Sequence, residues 1–309
     1  MNTTRVAIIQ LPWLGSSEQM AQAYRRLVGD AAQQNADIVC LPEFSLLPYV
    51  AGVRDPANFR WAEVRHGGPT DTLMSELAKT HGITIISSIF ERLSDVPTTS
   101  VNPRDYLDTA LIHTPNGVLR YATEKLHIPS GDGYHETDYF VSGNYEATPA
   151  PYPVHDLEQL QISTPTCYDQ WFPEVARMAA VAGAEYIFYP TAIGAEPTAP
   201  DFHSKSAWQM VMRGHAIANG VFVAAANRIG TENGVRFYGG SFIADPGGTI
   251  LAEAPEDAEA VIVASLEQAT FDQWRHLFPL LKQRCPAAYK SLTTPVDKPL
   301  DSSHWETLG

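Results

Sequence analysis

Apolar residues follow two patterns that alternate along the chain, short continuous runs and stripes at helical spacing. The runs predict buried strands over residues 6–9, 36–41, 83–90, 160–164, 186–189, 221–226, 241–244, 250–252 and 261–264. The stripes predict helices over residues 16–34, 70–79 and 202–219 and a further helix that opens at Pro173. The Asn116-Gly117 pair predicts a hairpin that joins strands over residues 106–113 and 118–122.

The order of these elements indicates the fold class. Helices that alternate with apolar strands favour an α/β fold, in which helices cover a sheet. Hairpins near Asn116 and Asp245 add antiparallel pairs, so we expect mixed sheets. No stretch rich in Gly, Ser or Pro divides the chain, and we expect a single domain over residues 1–309. The tail over about residues 270–309 has no clear period, and we expect it to pack on a neighbouring subunit.

Charge and cysteine content narrow the range of partners and locations. The 309 residues include 21 basic and 35 acidic ones, a net charge of −14, which argues against a nucleic acid partner because phosphate binding needs a basic surface. The same sign allows a cationic small substrate. The first residues do not resemble a signal peptide, and no apolar run is long enough to span a membrane. Three cysteines cannot form a disulfide framework, so we expect a reducing, cytoplasmic location.

Three reactive side chains each follow a predicted strand. Glu43 follows the strand over residues 36–41, Lys125 the strand over residues 118–122, and Cys167 the strand over residues 160–164. In α/β sheets, ligands bind beyond the carboxyl ends of strands, so these three groups are candidates for one site. Cys167 is the candidate nucleophile, because the helix that opens at Pro173 lends positive potential to a thiolate.

Each of these residues also has an ordinary structural interpretation. Cys167 fits a buried structural thiol about as well as a nucleophile, and Glu43 and Lys125 fit exposed charges. His127 and His135 lie in a segment with several carboxylates, but they lack the four-residue spacing of zinc hydrolase motifs, so a turn-rich loop is the better interpretation. His215 lies on an apolar helix face, which favours a hydrogen-bonded core histidine.

Three motifs in order resolve these alternatives. They are Leu41-Pro-Glu-Phe, Glu124-Lys-Leu-His-Ile-Pro and Cys167-Tyr-Asp-Gln-Trp-Phe-Pro-Glu, and together they resemble the nitrilase superfamily of carbon–nitrogen hydrolases from Val6 to about Glu267. The resemblance implies a four-layer αββα sandwich. It also implies a homodimer or a larger homo-oligomer.

The resemblance further implies a set of catalytic residues. The superfamily uses a Glu, a Lys and a Cys, which match Glu43, Lys125 and Cys167, and a second glutamate matches Glu136. In the implied mechanism the Cys167 thiolate attacks a carbonyl carbon, while Lys125 and the Tyr168 backbone N–H hold the oxyanion. Glu43 moves protons, and Glu136 orients Lys125. The resemblance implies no metal and no organic cofactor.

Within the superfamily, the chain is most similar to N-carbamoylputrescine amidases. This similarity implies hydrolysis of the terminal ureido group of N-carbamoylputrescine to putrescine, carbon dioxide and ammonia. The alternative is an amidase or N-carbamoyl amino acid hydrolase that acts on another small amide or ureido compound. A cationic substrate needs carboxylates or aromatic faces in its pocket, and the candidates are Tyr49, Tyr168, Trp171 and Glu196. Three features depart from this branch: the first motif, which runs Leu41-Pro-Glu-Phe-Ser, Thr166 before the cysteine, and the segment Tyr139-Phe-Val-Ser-Gly-Asn144.

Overall fold

Two six-stranded sheets form the centre of the protein. The computed structural model describes residues 3–131, 133–144, 151–157, 160–199 and 201–294. The strands are β1 (Thr3–Gln10), β2 (Ile38–Cys40), β3 (Thr84–Arg92), β4 (Tyr106–His113), β5 (Leu119–Glu124), β6 (Ser130–Gly131), β7 (Tyr134–His135), β8 (His155–Leu157), β9 (Leu160–Ser163), β10 (Tyr186–Pro190), β11 (Phe222–Ala226), β12 (Ile229–Glu232), β13 (Val235–Tyr238), β14 (Phe242–Ala244), β15 (Ile250–Glu253) and β16 (Ala260–Glu267).

The two sheets have related topologies. The first has the order β16-β1-β2-β3-β4-β5, and the second has the order β15-β14-β11-β10-β9-β8. In each sheet three central strands are parallel, β1, β2 and β3 in the first and β9, β10 and β11 in the second, while the flanking strands are antiparallel. The expectation of mixed sheets is therefore confirmed. Two short hairpins, β6–β7 and β12–β13, lie outside these sheets.

Helices cover the outer face of each sheet. The helices are α1 (Ser17–Gln33), α2 (Pro69–His81), α3 (Pro173–Val181), α4 (Lys205–Asn219) and α5 (Gln268–Leu277). The buried faces of α1 and α2 share a core with the first sheet, and those of α3 and α4 share a core with the second. A third core fills the space between the sheets, where Ile8, Ile86 and Phe188 are buried. These layers form the predicted αββα sandwich.

Local signals in the sequence account for several element ends. The Ser16 side chain accepts a hydrogen bond from the backbone N–H of Gln19 at 3.2 Å and caps α1. Gly117 has a φ of +79°, which favours glycine, in the turn between β4 and β5. Pro173 stands at the first position of α3, where its missing N–H costs no hydrogen bond.

The C-terminal part differs from the sequence prediction at its start. Residues 268–277 form α5, which follows β16 directly and packs on the same chain. The Phe271 ring is buried and stacks on Phe222, and the Arg275 guanidinium donates to the Gly220 carbonyl at 2.9 Å. Packing of the tail on another subunit stays a prediction, and residues 295–309 lie outside the described residues. Among the described helices, none combines the length and the apolar character that a membrane crossing needs.

Candidate active site

A buried lysine surrounded by carboxylates marks the candidate site. The Lys125 ammonium donates to Glu43 Oε1 at 2.9 Å and to Glu136 Oε2 at 2.5 Å, and it lies 3.3 Å from Asp108 Oδ2. All four side chains are almost completely excluded from solvent. The structure thus brings together three residues that the sequence predicts, and it adds Asp108.

The ends of strands place these side chains. Glu43 lies three residues after β2, and Lys125 directly follows β5, both at one end of the first sheet. The Glu43 backbone N–H donates to the Thr191 carbonyl at 3.3 Å, just beyond β10 of the second sheet. Cys167 follows β9 of the second sheet, so the site lies where strand ends of both sheets meet. Glu43, Lys125 and Cys167 therefore belong to one site, as expected from their positions after strands, but two sheets supply them instead of one.

Cys167 occupies a strained turn at the start of a short 3₁₀ helix over Cys167–Trp171. Its φ is +44°, in the left-handed region that residues other than glycine rarely adopt. Its side chain is 5% exposed and its Sγ lies 3.7 Å from the Ala192 carbonyl oxygen. Strain of this kind persists where the surroundings fix the backbone, and here it turns a buried thiol toward a cavity.

Asp169 fixes that turn to the segment after Lys125. Its carboxylate accepts from the His127 backbone N–H at 3.0 Å and from the Thr166 N–H at 3.2 Å. Its Oδ1 also lies 2.7 Å from His127 Nδ1 and accepts from the Tyr152 hydroxyl at 2.8 Å. A single buried carboxylate therefore ties the turn that carries Cys167 to the loop that follows Lys125.

A buried ion pair braces the loop that carries Glu43. The Arg228 guanidinium binds both carboxylate oxygens of Glu232 at 2.8 and 2.7 Å. It also donates to the carbonyls of Glu43, Phe44 and Leu47, at 3.2, 2.6 and 2.6 Å.

Glu232 in turn accepts from the Tyr49 N–H at 2.7 Å. Glu232 lies in β12, a short strand that the pattern of apolar residues does not predict, and Arg228 immediately precedes that strand.

A cavity of about 280 Å³ opens onto Cys167. Its size is at the small end for ligand pockets. Its lining residues are Pro129, Ser130, Gly131, Tyr134, Glu136, Cys167, Tyr168, Trp171, Ala192, Ile193, Glu196 and Thr198. The charged residues in this lining are Glu136 and Glu196, and both carry a carboxylate. A larger cavity of about 640 Å³ shares no lining residue with it.

Three of the four predicted substrate-binding residues line this cavity. They are Tyr168, Trp171 and Glu196. The fourth, Tyr49, is placed differently: it is fully buried and its hydroxyl donates to Glu136 Oε1 at 2.9 Å. Tyr49 thus stands behind Glu136 and is not part of the described cavity lining, so its position fits a support for Glu136 better than contact with a substrate.

Burial and the neighbouring charges shift the pKa values of the residues in this cluster. Burial raises the pKa of Glu43 well above its usual value, and it raises the pKa of Glu136 as well, although Lys125 opposes both shifts. Burial alone would lower the pKa of Lys125, but the charges of Glu136 and Glu43 raise it well above its usual value. The pKa of Cys167 is also raised, by burial and then by Glu43. These effects favour the protonated thiol over the thiolate.

A metal centre is the alternative interpretation for two groups of residues. Oxygen atoms of Glu43, Asp108 and Glu136 lie within 4.8 Å of one another, but the Lys125 ammonium stands among them.

In the segment from His127 to Asp138, the side chains serve other contacts. His127 binds Asp169, Glu136 binds Lys125, and Asp138 pairs with Arg54 at 2.8 Å. Asp132 lies outside the described residues.

The residues that sequence reasoning missed carry recognisable signals. Asp108 is a carboxylate inside β4, an otherwise mostly apolar strand whose residues are all buried. Arg228 lies two residues after β11, the same strand-end position that identified the other candidates.

His215 is buried as predicted, but its two ring nitrogens have no hydrogen-bond partner among the described residues, contrary to the expected hydrogen-bonded histidine.

Comparison with known proteins shows the family to which the chain belongs. Residues 5–276 match the family model described as carbon-nitrogen hydrolase. A citrullinase of Francisella tularensis is 34% identical over 94% of this chain and 99% of its own, and an N-carbamoylputrescine amidase of Solanum lycopersicum is 37% identical over 94% of each. The solved structure of a carbon-nitrogen hydrolase from Helicobacter pylori has a TM-score of 0.84 at 26% identity, and the match covers 94% of this chain and 98% of that one. The chain therefore belongs to the carbon–nitrogen hydrolase family of the nitrilase superfamily, as its motifs predict.

Proposed function

We propose that this protein hydrolyses the terminal carbamoyl group of N-carbamoylputrescine through a thioester on Cys167. One observation carries the proposal: the cavity beside Cys167 combines aromatic rings with Glu196, and its charged lining is entirely acidic among the described residues. A diamine chain presents an ammonium group, which carboxylates and aromatic faces bind. Two relatives are named for citrulline and for N-carbamoylputrescine, ureido compounds that each carry an amino group at the far end, which in citrulline stands beside a carboxylate.

The first half of the reaction forms the thioester. Cys167 Sγ attacks the carbamoyl carbon while the thiol proton passes to Glu43. The ammonium of Lys125 and the backbone N–H of Tyr168 stabilise the oxyanion. When the tetrahedral intermediate collapses, its C–N bond to the terminal nitrogen breaks, and Glu43 returns the proton to the departing ammonia.

The second half regenerates the enzyme. Glu43 takes a proton from water, and the resulting hydroxide attacks the thioester carbon. The C–S bond then breaks, and Cys167 recovers its proton. The product is a carbamate, which loses carbon dioxide to give putrescine. Glu136, held by the Tyr49 hydroxyl, keeps the Lys125 ammonium in place throughout.

Glu196 is the proposed partner of the distal ammonium. It lines the cavity with Cys167 and is half-buried, and burial raises its pKa from the usual value. A carboxylate substituent has no basic partner in the described lining. The two residues after Asp169 supply no basic side chain either. Gln170 is buried and accepts a hydrogen bond from the Thr191 hydroxyl at 3.0 Å, and Trp171 lines the cavity. This arrangement favours a diamine derivative over N-carbamoyl amino acids.

A substrate panel with ammonia detection tests the proposal. We expect turnover of N-carbamoylputrescine to exceed that of citrulline, N-carbamoyl amino acids and aliphatic amides, and C167A to abolish all of it. Preferred turnover of an N-carbamoyl amino acid or an amide would support the alternative instead.

N-Butylurea is the matched control, because it has the same chain without the ammonium. E196Q should raise KM about three- to tenfold for N-carbamoylputrescine and leave KM for N-butylurea unchanged.

A further inference from the structure

Asp108 is a buried carboxylate that the proposed reaction does not use. It lies inside β4, and its side chain is completely excluded from solvent. Asp108 Oδ1 accepts from the Ser88 hydroxyl at 3.1 Å, and the Ser88 hydroxyl oxygen accepts from the Phe44 N–H at 3.2 Å. Asp108 Oδ2 faces the Lys125 ammonium at 3.3 Å. Asp108 is thus connected both to the residue after Glu43 and to Lys125.

The charges around Asp108 do not cancel. Three carboxylates, Glu43, Asp108 and Glu136, surround one ammonium, and the Cys167 thiol and Tyr49 hydroxyl are the other titratable groups that face the cluster. A buried cluster with this excess of negative charge binds protons tightly, because burial penalises each uncompensated charge. Glu43 Oε2 and Asp108 Oδ2 both lack a hydrogen-bond partner of good geometry among the described residues. Glu43 Oε2 is thus free to accept the proton that leaves Cys167.

We propose that Asp108 is a positioning residue whose negative charge makes Glu43 a stronger base toward the Cys167 thiol. This proposal rests on the proposed function. The proton that leaves Cys167 Sγ has Glu43 as its acceptor, and repulsion from Asp108 favours the protonated form of Glu43. The same proton is then the one that Glu43 delivers to ammonia, so no proton or electron is unaccounted for. Asp108 acts through Glu43, since it is not part of the described cavity lining.

The direction of the electrostatic effect is consistent with this role. Burial raises the pKa of Glu43, and the nearby charge of Asp108 raises it further, against the opposing effect of Lys125. Removing a like charge at this range lowers a carboxyl pKa by about one unit or more. A neutral residue at position 108 should therefore leave Glu43 less basic and keep the proton on Cys167.

The test compares D108N with S88A and follows Cys167 directly. D108N removes the charge and keeps the shape, whereas S88A removes the hydrogen bond to Asp108 and keeps the charge. Iodoacetamide alkylation, mapped peptide by peptide, reports the nucleophilicity of Cys167 at each pH without any substrate. Cys285 is exposed and serves as the internal reference for an ordinary thiol in the same chain.

For D108N we expect alkylation of Cys167 at neutral pH to slow about tenfold, and the acid limbs of alkylation and of kcat/KM to move to lower pH by about one unit. S88A should leave both acid limbs in place, and Cys285 should be unaffected throughout. Unchanged acid limbs in D108N, or an equal movement in S88A, would overturn the proposal. If D108N does not fold, D108S removes the same charge with a smaller side chain and is judged by the same criteria.

A failure of the proposed function is distinguishable from a failure of this inference. If the wild-type protein releases no ammonia from any ureido compound but D108N still slows alkylation of Cys167, the role of Asp108 stands and the substrate assignment falls. If N-carbamoylputrescine is turned over and D108N leaves the pH dependence of alkylation unchanged, the substrate stands and the role of Asp108 falls.

Discussion

Replacing Arg228 tests whether the brace beneath Glu43 is needed for stability, for catalysis or for both. Arg228 is 2% exposed, and its guanidinium makes two contacts with the Glu232 carboxylate and three with backbone carbonyls. R228M leaves Glu232 as an unpaired buried charge. Removing one partner of a buried pair costs about 3–5 kcal/mol, a large share of the roughly 5–15 kcal/mol that holds a typical domain together.

A second substitution separates the charge from the brace. In R228M/E232Q the buried charge is gone, while the side-chain amide oxygen introduced at position 232 can still accept from the Tyr49 N–H. We therefore expect E232Q to return about 1–3 kcal/mol of the unfolding free energy that R228M loses. It should not restore turnover, because the carbonyls of Glu43, Phe44 and Leu47 still lack their donor and the loop that carries Glu43 stays loose.

Two measurements decide this prediction. Urea unfolding at pH 7.5 gives the free energy of unfolding for the wild type, both single variants and the double variant, and ammonia release gives kcat for each below its unfolding transition. If E232Q destabilises R228M further, the ion pair is not what Arg228 contributes to stability. If the double variant recovers wild-type kcat, the loop does not depend on Arg228 for its position.

Two further predictions concern a buried histidine and the turn that carries Cys167. Burial lowers the pKa of His215 to about 4. Below about pH 6.5 the unfolded chain therefore binds a proton at this histidine, whereas the folded chain does not. The free energy of unfolding consequently falls as the pH is lowered from 6.5 toward 4. H215F should flatten this loss in urea unfolding at pH 7 and pH 5, and an unchanged slope would contradict it. D169N should lower kcat at least tenfold, because it weakens the contacts that hold the Cys167 turn. Y152F removes only one donor to Asp169 and should lower kcat less than threefold. Equal losses in the two variants would show that Asp169 does not hold this turn in place.

Local chemistry explains which parts of the fold could be predicted. The Ser16 cap and the Asn116-Gly117 turn depend on neighbouring residues, and both are present. Helix α5 escapes prediction because it follows β16 without an intervening turn and buries one residue, Phe271. The hairpin β12–β13 has the same Asn-Gly signal at Asn233-Gly234, but its strands have four residues each and Gly230 interrupts the first.

The candidate site shows a similar division between local and long-range information. Motifs identify Glu43, Lys125, Glu136 and Cys167, because each stands beside a strand end or in a short characteristic segment. The contacts of Asp108, Arg228 and Glu232 join segments far apart in the chain; Arg228, for example, reaches a carbonyl 185 residues earlier. Such contacts depend on how the two sheets pack, which the local pattern of apolar and polar residues does not specify.

The pairing of two sheets explains why a buried lysine can work beside a buried thiol. The first sheet supplies the acidic cluster around Lys125, and the second supplies Cys167 at its strained turn. Neither sheet alone encloses the site, and the hydrogen bond from the Glu43 N–H to the Thr191 carbonyl joins the two at this point. This hydrogen bond places the ends of β2 and β10 at the same edge of the sandwich, so Glu43 and the turn that carries Cys167 lie near each other there without a long loop. Changes in the packing between the sheets should therefore lower kcat more than they raise KM. Glu43 and Cys167 follow strands of different sheets, whereas Glu196, the proposed partner of the distal ammonium, follows β10 of the same sheet as Cys167.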